Sequence, residues 1–348
     1  MFVENLSAKV EIIIENHKFA VMIDRILLFP YFLTLKLRHY LYDKGYKKSY
    51  KYDIPIISIG NITVGGTGKT PHAEMIIREL ADKHRVALIS RGYGRKTKGY
   101  KVVEVGDNHL DVGDEPLQIK RKFPSITVAV DSSRKRAIDT LLSLPEDERP
   151  TVIILDDAFQ HKQITPSTSI VLVDYNRPIF NDHLLPFGRL RDLPQRISAA
   201  DIVIVTKTPW YDENPDPTKW RKQLHLSPEQ KLYFSKIDYC DFKPVFPGIG
   251  DNRYIYSPKA ILFTGIANNK PFVDYIVGKY HIEEILQFSD HKNFSTQDIK
   301  KIISLSRKYT TAAIITTEKD AQRLRYHPAV TQDLKRRLLY LEIKVSIL

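Results

Sequence analysis

A glycine-rich segment lies between a short apolar run and a helical pattern. It reads Gly-Asn-Ile-Thr-Val-Gly-Gly-Thr-Gly-Lys-Thr over residues 60–70. Glycines let backbone N–H groups turn towards a phosphate, and the positive end of a helix dipole strengthens the attraction. In such loops the lysine bridges the β- and γ-phosphates and the next hydroxyl binds Mg²⁺. Lys69 and Thr70 are therefore predicted to have these roles in a loop that binds ATP.

The predicted nucleotide-binding residues extend over the whole turn into the helix. They are Thr63, Val64, Gly65, Gly66, Thr67, Gly68, Lys69 and Thr70. The first position departs from the usual pattern, since Thr63 replaces a glycine, and the neighbouring glycines are expected to compensate. The alternative is a turn without a nucleotide, which the strand before and the helix after the loop disfavour.

Two aspartates follow the apolar run Val-Ile-Ile-Leu at residues 152–155. An acidic residue at the end of such a strand holds the Mg²⁺ of a phosphate-loop enzyme, directly or through water. Asp156 and Asp157 are the candidates, and the sequence does not decide between them. The alternative is a helix cap or a turn.

Asp114 lies in the segment Gly-Asp-Glu-Pro, just before a predicted helix. Loops at the carboxyl ends of parallel strands are where ligands bind, so this carboxylate could take a proton from an acceptor hydroxyl. Aspartate is also a preferred helix cap, and the spacing alone favours that alternative. In Ser-Asp-His, His291 could be oriented by the aspartate before it, although an exposed histidine without function is the more ordinary reading.

Two basic loops could bind anionic groups of a substrate. The first reads Arg-Gly-Tyr-Gly-Arg from residue 91, and the second contains two arginines after Leu-Pro-Phe-Gly at residues 185–188. The predicted substrate-binding residues are Arg91, Tyr93, Arg95, Arg189 and Arg191. A solvated surface is the alternative for the first loop.

Strand and helix patterns alternate from residue 54 onwards, which predicts an α/β fold. A doubly wound, mainly parallel sheet of the P-loop type is expected, followed by a second, smaller α/β lobe. The predicted divisions are 1–53 for an N-terminal extension with an amphipathic helix, 54–235 for the nucleotide-binding core and 236–348 for the smaller lobe. A length of 348 residues agrees with two lobes.

The composition favours a folded protein with an anionic partner. Lysine and arginine number 53 against 41 acidic residues, so the formal net charge is +12. This charge fits a nucleic acid, an anionic membrane or a phosphorylated ligand, and does not choose among them. The single cysteine, Cys240, excludes an internal disulfide and a cysteine-rich zinc site, which favours a reducing compartment.

The segment before residue 54 combines an apolar face with basic and aromatic residues. Leu33, Leu37, Tyr40 and Leu41 share a helical face, and lysines and tyrosines follow to residue 51. The apolar run at residues 26–35 is too short for a span, which needs about 20 residues. The pattern is typical of a helix in a membrane interface, and a helix that covers the protein's own core is the alternative. Residues 1–21 carry no functional signal.

The motifs together resemble a known family, the tetraacyldisaccharide 4'-kinases, which are the lipid A 4'-kinases of Gram-negative bacteria. The resemblance covers residues 22–325 and rests on eight motifs in the family's order. They are GNITVGGTGKTP from residue 60, SRGYGR from 90, GDE from 113, LDDAFQH from 155, LPFGRLR from 185, FTGIAN from 263, SDH from 289 and TTEKD from 316. Two departures occur, Ala158 for glycine and Asn269 for proline.

The resemblance implies ATP- and Mg²⁺-dependent phosphorylation of the 4'-hydroxyl of a tetraacylated disaccharide 1-phosphate, a lipid A precursor. It places the enzyme peripherally at the cytoplasmic face of the inner membrane and favours membrane contact by the N-terminal helix. It also implies that Asp114 is the base and that His291 orients it, with Glu115 added to Asp156 and Asp157 around the metal. The substrate's 1-phosphate would explain the clustered arginines.

Three other functions are compatible with parts of the sequence. A soluble small-molecule kinase would share the phosphate loop and need no lipid. A GTPase-like regulatory protein would need a guanine-reading loop, and Val-Thr-Lys-Thr at residues 205–208 lacks its terminal acid. A nucleic-acid ATPase would explain the charge, but the sequence contains no recognised nucleic-acid module, so no nucleic-acid partner is expected. The oligomeric state is not predicted.

Overall fold

The structure, a computed structural model, describes residues 29–290 and 292–348. Its described strands are β1 (Ile56–Asn61), β2 (Val86–Ser90), β3 (Lys101–Val102), β4 (Thr127–Val130), β5 (Val152–Asp156), β6 (Thr168–Asp174), β7 (Ile202–Thr206), β8 (Lys231–Pro244), β9 (Lys259–Thr264), β10 (His281–Gln287), β11 (Ala313–Thr317) and β12 (Leu338–Ile347). Its described helices are α1 (29–43), α2 (Lys69–Leu80), α3 (His109–Val112), α4 (Asp114–Lys122), α5 (Arg134–Leu142), α6 (Pro217–Leu224), α7 (Lys270–Val277), α8 (Thr296–Lys308), α9 (Glu318–Leu324) and α10 (Gln332–Arg337).

The strands form one sheet in the order β10-β9-β11-β12-β8-β7-β6-β1-β5-β2-β4-β3. Neighbouring strands are parallel except for two antiparallel pairs, β3 with β4 and β8 with β12. Short, fully buried runs such as β2 and β5 form the centre, because helices cover both faces of a parallel sheet. The expected mainly parallel α/β fold is therefore confirmed.

The long strand β8 joins the two halves of the sheet. Its first residues pair with β7 in parallel, and the rest pairs with β12 in antiparallel from Ser235 to Pro244. Separate hydrophobic clusters lie on either side, one set around β1, β2 and β5 and another around β9 and β11. The predicted division at residues 235/236 falls inside this strand, and the division into lobes stays a prediction.

Helix α1 places one side on the protein and the other in solvent. Leu35 and His39 are buried, whereas Leu33, Leu37 and Tyr40 are 53%, 55% and 49% exposed. The predicted apolar face is thus largely exposed to solvent. A helix that only covered the protein's own core would bury this face. Among the described residues no helix is long and apolar enough to cross a membrane.

The central strands deliver the candidate residues to one edge of the sheet. Strands β1, β2, β4 and β5 are parallel neighbours, so their carboxyl ends lie together. The phosphate loop follows β1, the loop with Arg91 follows β2, and Asp156 ends β5. This is the edge at which open α/β sheets bind their ligands.

Candidate active site

The glycine-rich loop forms an open cradle between β1 and α2. Gly65 and Gly68 have φ angles of 102° and 89°, a region that glycine adopts without strain. A Cβ atom on Gly66 would meet nothing within 4 Å. Within the described part of the chain, the N–H groups of Gly65, Gly66 and Gly68 donate to no protein acceptor. A phosphate would supply the acceptors that these donors lack.

Thr63, the departure from the loop pattern, lies outside the cradle. It is buried and forms an antiparallel bridge with Leu190. The neighbouring Val64 N–H donates to the Arg189 carbonyl oxygen at 2.7 Å, and the Arg191 N–H donates to the Ile62 carbonyl oxygen at 2.9 Å. A threonine suits this position because the chain runs here as a short extended pair.

The two arginines of this second segment have different surroundings. Arg189 is exposed, and its Nη1 lies 3.8 Å from the point that a Cβ on Gly65 would occupy, so the guanidinium lies beside the cradle. The guanidinium of Arg191 contacts both carboxylate oxygens of Asp157 and the side chain of Asn61. Arg189 is therefore available to an anionic ligand, whereas Arg191 fixes groups of the protein beneath the loop.

Asp156 and Asp157 differ in what they can offer a cation. Asp156 is buried, and its Oδ2 accepts from the Ser90 hydroxyl at 3.0 Å. Its Oδ1 is buried and has no hydrogen-bond partner among the described residues. Burial, with Glu115 and Asp157 nearby, raises the pKa of Asp156 to about 6. A bound cation would compensate this buried oxygen and favour the ionised carboxylate.

Asp157 already has cationic partners. Besides Arg191, its Oδ1 lies 3.8 Å from Lys69 Nζ. Burial opposes its ionisation, but Arg191 and Lys69 outweigh burial and lower the pKa of Asp157. Among the described residues, no three His, Cys, Asp or Glu side chains cluster as a complete metal site. Few protein ligands are needed where phosphates and water complete the shell of Mg²⁺.

Asp114 begins α4 but does not cap it. The N-cap residue is Gly113, with a φ angle of 94° and no side-chain cap. The Asp114 carboxylate is buried, and its Oδ2 accepts a hydrogen bond from Arg323 on α9. Arg323 also donates to Asp320 Oδ1 at 2.9 Å. Asp114 is therefore not the N-cap residue, although its Oδ1 accepts a hydrogen bond from the Glu115 N–H at 3.0 Å. Its other carboxylate oxygen is held by the Arg323 guanidinium of α9.

Glu115 has a similar partner one helical turn earlier on α9. Its Oε1 lies 2.9 Å from Lys319 Nζ. Lys319 and Arg323 are four residues apart, so they share a face of α9 and meet the two adjacent acids at the start of α4. Lys319 belongs to the motif TTEKD, but its type and spacing predict no role for it, and Arg323 lies outside all the motifs. His291, the proposed partner of Asp114, lies outside the described residues.

The loop after β2 is only partly directed to the site. Arg91 and Tyr93 are exposed, whereas the Arg95 guanidinium donates to the Gly99 carbonyl oxygen at 2.6 Å and so folds back onto its own loop. Burial and the charges of Arg134, Arg38 and Arg91 lower the pKa of His161 to about 4. The three arginines whose charges act on His161 are called the arginine cluster below. Of the three, Arg91 is the one that the sequence predicts to bind substrate.

Comparison with known proteins identifies the family to which this chain is similar. The family model described as tetraacyldisaccharide-1-P 4'-kinase matches residues 22–347. The tetraacyldisaccharide 4'-kinase of Parabacteroides distasonis is 43% identical over 326 residues, covering 91% of this chain and 88% of that protein. The one from Flavobacterium johnsoniae is 40% identical over 329 residues, covering 93% of each chain.

A solved structure shares the fold. The crystal structure of LpxK from Aquifex aeolicus in complex with ATP matches with a TM-score of 0.70 and 26% identity, over 93% of this chain and 95% of that one. The family match, the long alignments with its members and the structural likeness agree with the motifs around the cradle. The chain therefore belongs to the tetraacyldisaccharide-1-P 4'-kinase family.

Proposed function

We propose that this kinase transfers the γ-phosphate of ATP to the 4'-hydroxyl of a tetraacyldisaccharide 1-phosphate, a precursor of lipid A. The observation that carries the proposal concerns the part of the chain that the structure describes. There, a glycine cradle has N–H donors without protein acceptors, next to a buried carboxylate oxygen without a hydrogen-bond partner. Lys69 lies at the end of the cradle and would neutralise charge on the transferring group.

Mg²⁺ would be held by the Thr70 hydroxyl and by Asp156, whose Oδ1 is the unpartnered oxygen. The ion would supply positive charge at the β- and γ-phosphate oxygens. Asp157 would then orient Lys69 and Arg191 and bind Mg²⁺ only through water, because its oxygens already have cationic partners. Glu115, which influences the pKa of Asp156 and is bound by Lys319, would hold water around the ion.

Asp114 would act as the base. The substrate's 4'-oxygen forms a bond to the γ-phosphorus, the bond from that phosphorus to the bridging oxygen breaks, and ADP leaves with the electron pair. The proton of the hydroxyl passes to the Asp114 carboxylate. Arg323 contacts Asp114 Oδ2 and would keep the side chain in one orientation, and His291 would assist it.

The substrate's anionic group would bind near the arginine cluster. Of the three arginines, Arg91 is exposed and would contact the 1-phosphate of the disaccharide. Arg38 and Arg134 are bound to backbone carbonyl oxygens and would contribute positive charge without direct contact. Tyr93 is exposed and could pack on a sugar ring, while Arg189 beside Gly65 would contact the transferring phosphate. Arg95 and Arg191 would act indirectly, since both are bound to groups of the protein.

A lipid substrate requires contact with a membrane, and α1 would supply it. Its exposed residues Leu33, Leu37 and Tyr40 would enter the interface, and the lysines that follow would meet anionic headgroups. The membrane would be the cytoplasmic leaflet of the inner membrane, where ATP is present, and the protein would bind it peripherally.

Transfer of label from γ-labelled ATP tests this function. The purified protein is incubated with Mg²⁺ and the disaccharide 1-phosphate in neutral detergent micelles, and the product is examined by phosphorus–proton correlation NMR. We expect a new phosphate coupled to the proton at C4' of the lipid. Release of inorganic phosphate without labelled lipid, or a phosphate at another carbon, would contradict the proposal.

A further inference from the structure

Helix α1 is bonded to the two loops that flank the phosphate cradle. Arg38 Nη2 donates to the carbonyl oxygen of Gln160 at 2.6 Å, in the loop after β5. The Tyr31 hydroxyl donates to the carbonyl oxygen of Arg191 at 3.2 Å, in the segment that pairs with the cradle. The helix with the exposed apolar face is thus attached to residues close to the phosphate loop.

Further contacts seat the helix on the same loops. His39 Nε2 lies 2.6 Å from Asp192 Oδ1, and both side chains are buried. Lys162 Nζ lies 2.7 Å from Asp43 Oδ1. Asp192 follows Arg191 in the sequence, and Lys162 lies two residues after Gln160. These two contacts therefore join α1 to the same two loops.

Both loops converge on one buried residue, Asn61. Gln160 Nε2 donates to the Asn61 carbonyl oxygen at 2.8 Å, and Arg191 Nη2 donates to the same oxygen at 3.2 Å. Asn61 is fully buried, and its Nδ2 donates to Thr67 Oγ1 at 2.8 Å. Thr67 is part of the cradle itself, so a continuous path of hydrogen bonds runs from α1 into the phosphate loop.

We propose that Arg38 and Tyr31 are positioning residues for phosphoryl transfer, acting through Gln160 and Arg191 on Asn61 and the phosphate loop. The inference rests on the proposed function, because it assigns the path to the same transfer step. Helix α1 is then both the contact with the lipid surface and a support of the catalytic loop.

The physical reason lies in the burial of the path. A buried asparagine has few alternative partners, so it follows the groups that bind it. If the Gln160 loop moves after loss of its bond to Arg38, Asn61 and Thr67 move with it. Displacements near 1 Å at a reacting centre can cost about a hundredfold in rate.

Four variants test the path: Arg38→Met, Gln160→Met, their double variant and the control Arg85→Met. Arg85 makes the same kind of contact, donating to the Arg149 carbonyl oxygen at 2.7 Å, but it precedes β2 at the opposite edge of the sheet. Turnover is measured at saturating ATP and lipid in neutral detergent micelles, so that binding to vesicles does not enter. A thermal melt of each variant accompanies the kinetics.

We expect Arg38→Met to lower kcat roughly tenfold, as for the loss of one charge-assisted hydrogen bond. Gln160→Met should give a similar loss, and the double variant should be hardly worse than either, because both remove the same path. Arg85→Met should retain wild-type kcat. A wild-type kcat in Arg38→Met with only a lower melting temperature, or losses that multiply in the double variant, would overturn the proposal.

Two further measurements keep the outcomes distinct. If Arg38→Met does not fold, Tyr31→Phe removes a single hydroxyl and should still lower kcat, whereas unchanged turnover in Tyr31→Phe would overturn the path. If the folded wild type transfers no phosphate, the proposed function fails by itself. The affinity for a fluorescent ATP analogue then decides: weaker binding by Arg38→Met than by Arg85→Met supports the path, and equal binding overturns it.

Discussion

At the scale of residues, the site depends on two carboxylate side chains that pair with two cationic side chains. Asp114 and Glu115 begin α4, and Arg323 and Lys319 lie on one face of α9. Two adjacent carboxylates at the start of a helix repel each other when they are removed from water. Here each one is paired with a cationic side chain, which offsets that cost. It also gives the proposed base a fixed orientation before the substrate arrives.

The role of Asp114 predicts the behaviour of Asp114→Asn. The amide retains the size of the side chain but cannot take a proton, so kcat should fall by roughly 10²–10⁴-fold. The affinity for ATP should change little, since the hydrogen bonds that the described residues give Asp114 run to Arg323 and to the Glu115 N–H. Steady-state kinetics with ATP and the lipid, together with binding of a fluorescent ATP analogue, measure both quantities.

The control for this prediction is Asp111→Asn on α3, which removes a nearby carboxylate outside the ion pairs with α9. It should leave kcat unchanged. Near wild-type turnover in a folded Asp114→Asn variant would remove Asp114 as the base. A loss of the same size in Asp111→Asn would show that the effect is not specific to this position.

At the scale of elements, a buried charge cluster joins α2, α4, α9 and β12. Lys122 Nζ lies 2.7 Å from Glu74, 3.2 Å from Glu318 and 3.2 Å from Glu342. Glu342 has a second cation, Lys243, at 2.7 Å. Three carboxylates thus surround one buried ammonium, and the two halves of the sheet meet there.

This cluster predicts a dependence of stability on pH. Burial, and then Glu74, raise the pKa of Glu318 to about 7, above its ordinary 4.5. A raised carboxyl pKa means that the native state binds the proton more tightly than the unfolded state. This contribution is therefore complete below pH 4.5 and is lost as the pH rises through 7, on the order of 3 kcal/mol in total.

The variant Glu318→Gln should remove that loss. Between pH 5 and 8 its free energy of unfolding should fall less steeply than that of the wild type, measured by urea denaturation. Glu342→Gln is the contrasting control, because Lys243 and Lys122 outweigh burial and lower the pKa of Glu342. It should destabilise the protein at pH 7. Parallel curves for Glu318→Gln and the wild type would exclude the assigned titration.

Helix α1 gives the second prediction at this scale. Replacing Leu33 and Leu37 by serine should weaken binding to vesicles with anionic lipid more than tenfold, since burial of a leucine contributes roughly 1.5–3 kcal/mol. Added salt should also weaken binding of the wild type, because it screens the lysines. Sedimentation with vesicles measures both effects.

The control for α1 is Thr34→Ala, on the same helix, where the hydroxyl donates to the Pro30 carbonyl oxygen at 2.8 Å within the helix. It should bind vesicles as the wild type does. If neither the serine substitutions nor added salt changes binding to vesicles, the result would favour a helix that only covers the protein's own core. A lower melting temperature in the serine variant would indicate the same, because both leucines are exposed in the structure.

At the scale of the whole molecule, sequence patterns predicted the strands around the phosphate loop. They did not predict the long strands β8 and β12, which join the two halves of the sheet. Short apolar runs such as residues 152–155 are recognisable because both faces of the strand are buried. Strands β8 and β12 were not predicted, since polar residues interrupt them and pairing with distant strands makes them part of the sheet. Such pairing is a property of the tertiary structure.

The same limit applies to the site. The cradle and Asp156 are local patterns, so their residues could be named from spacing alone. Arg323 is 209 residues from Asp114, and Gln160 is 99 residues from Asn61, so no local spacing indicates either contact. The different surroundings of Asp156 and Asp157 also depend on Arg191, which comes from another segment.

The turnover of Lys69→Ala decides whether this phosphate loop performs the transfer. The matched control is Lys83→Ala, an exposed lysine beyond the end of the same helix. With labelled ATP and the lipid acceptor, we predict that Lys69→Ala loses about a hundredfold or more in kcat while it melts as the wild type does, and that Lys83→Ala remains fully active. Wild-type turnover in the folded Lys69→Ala variant would contradict the account.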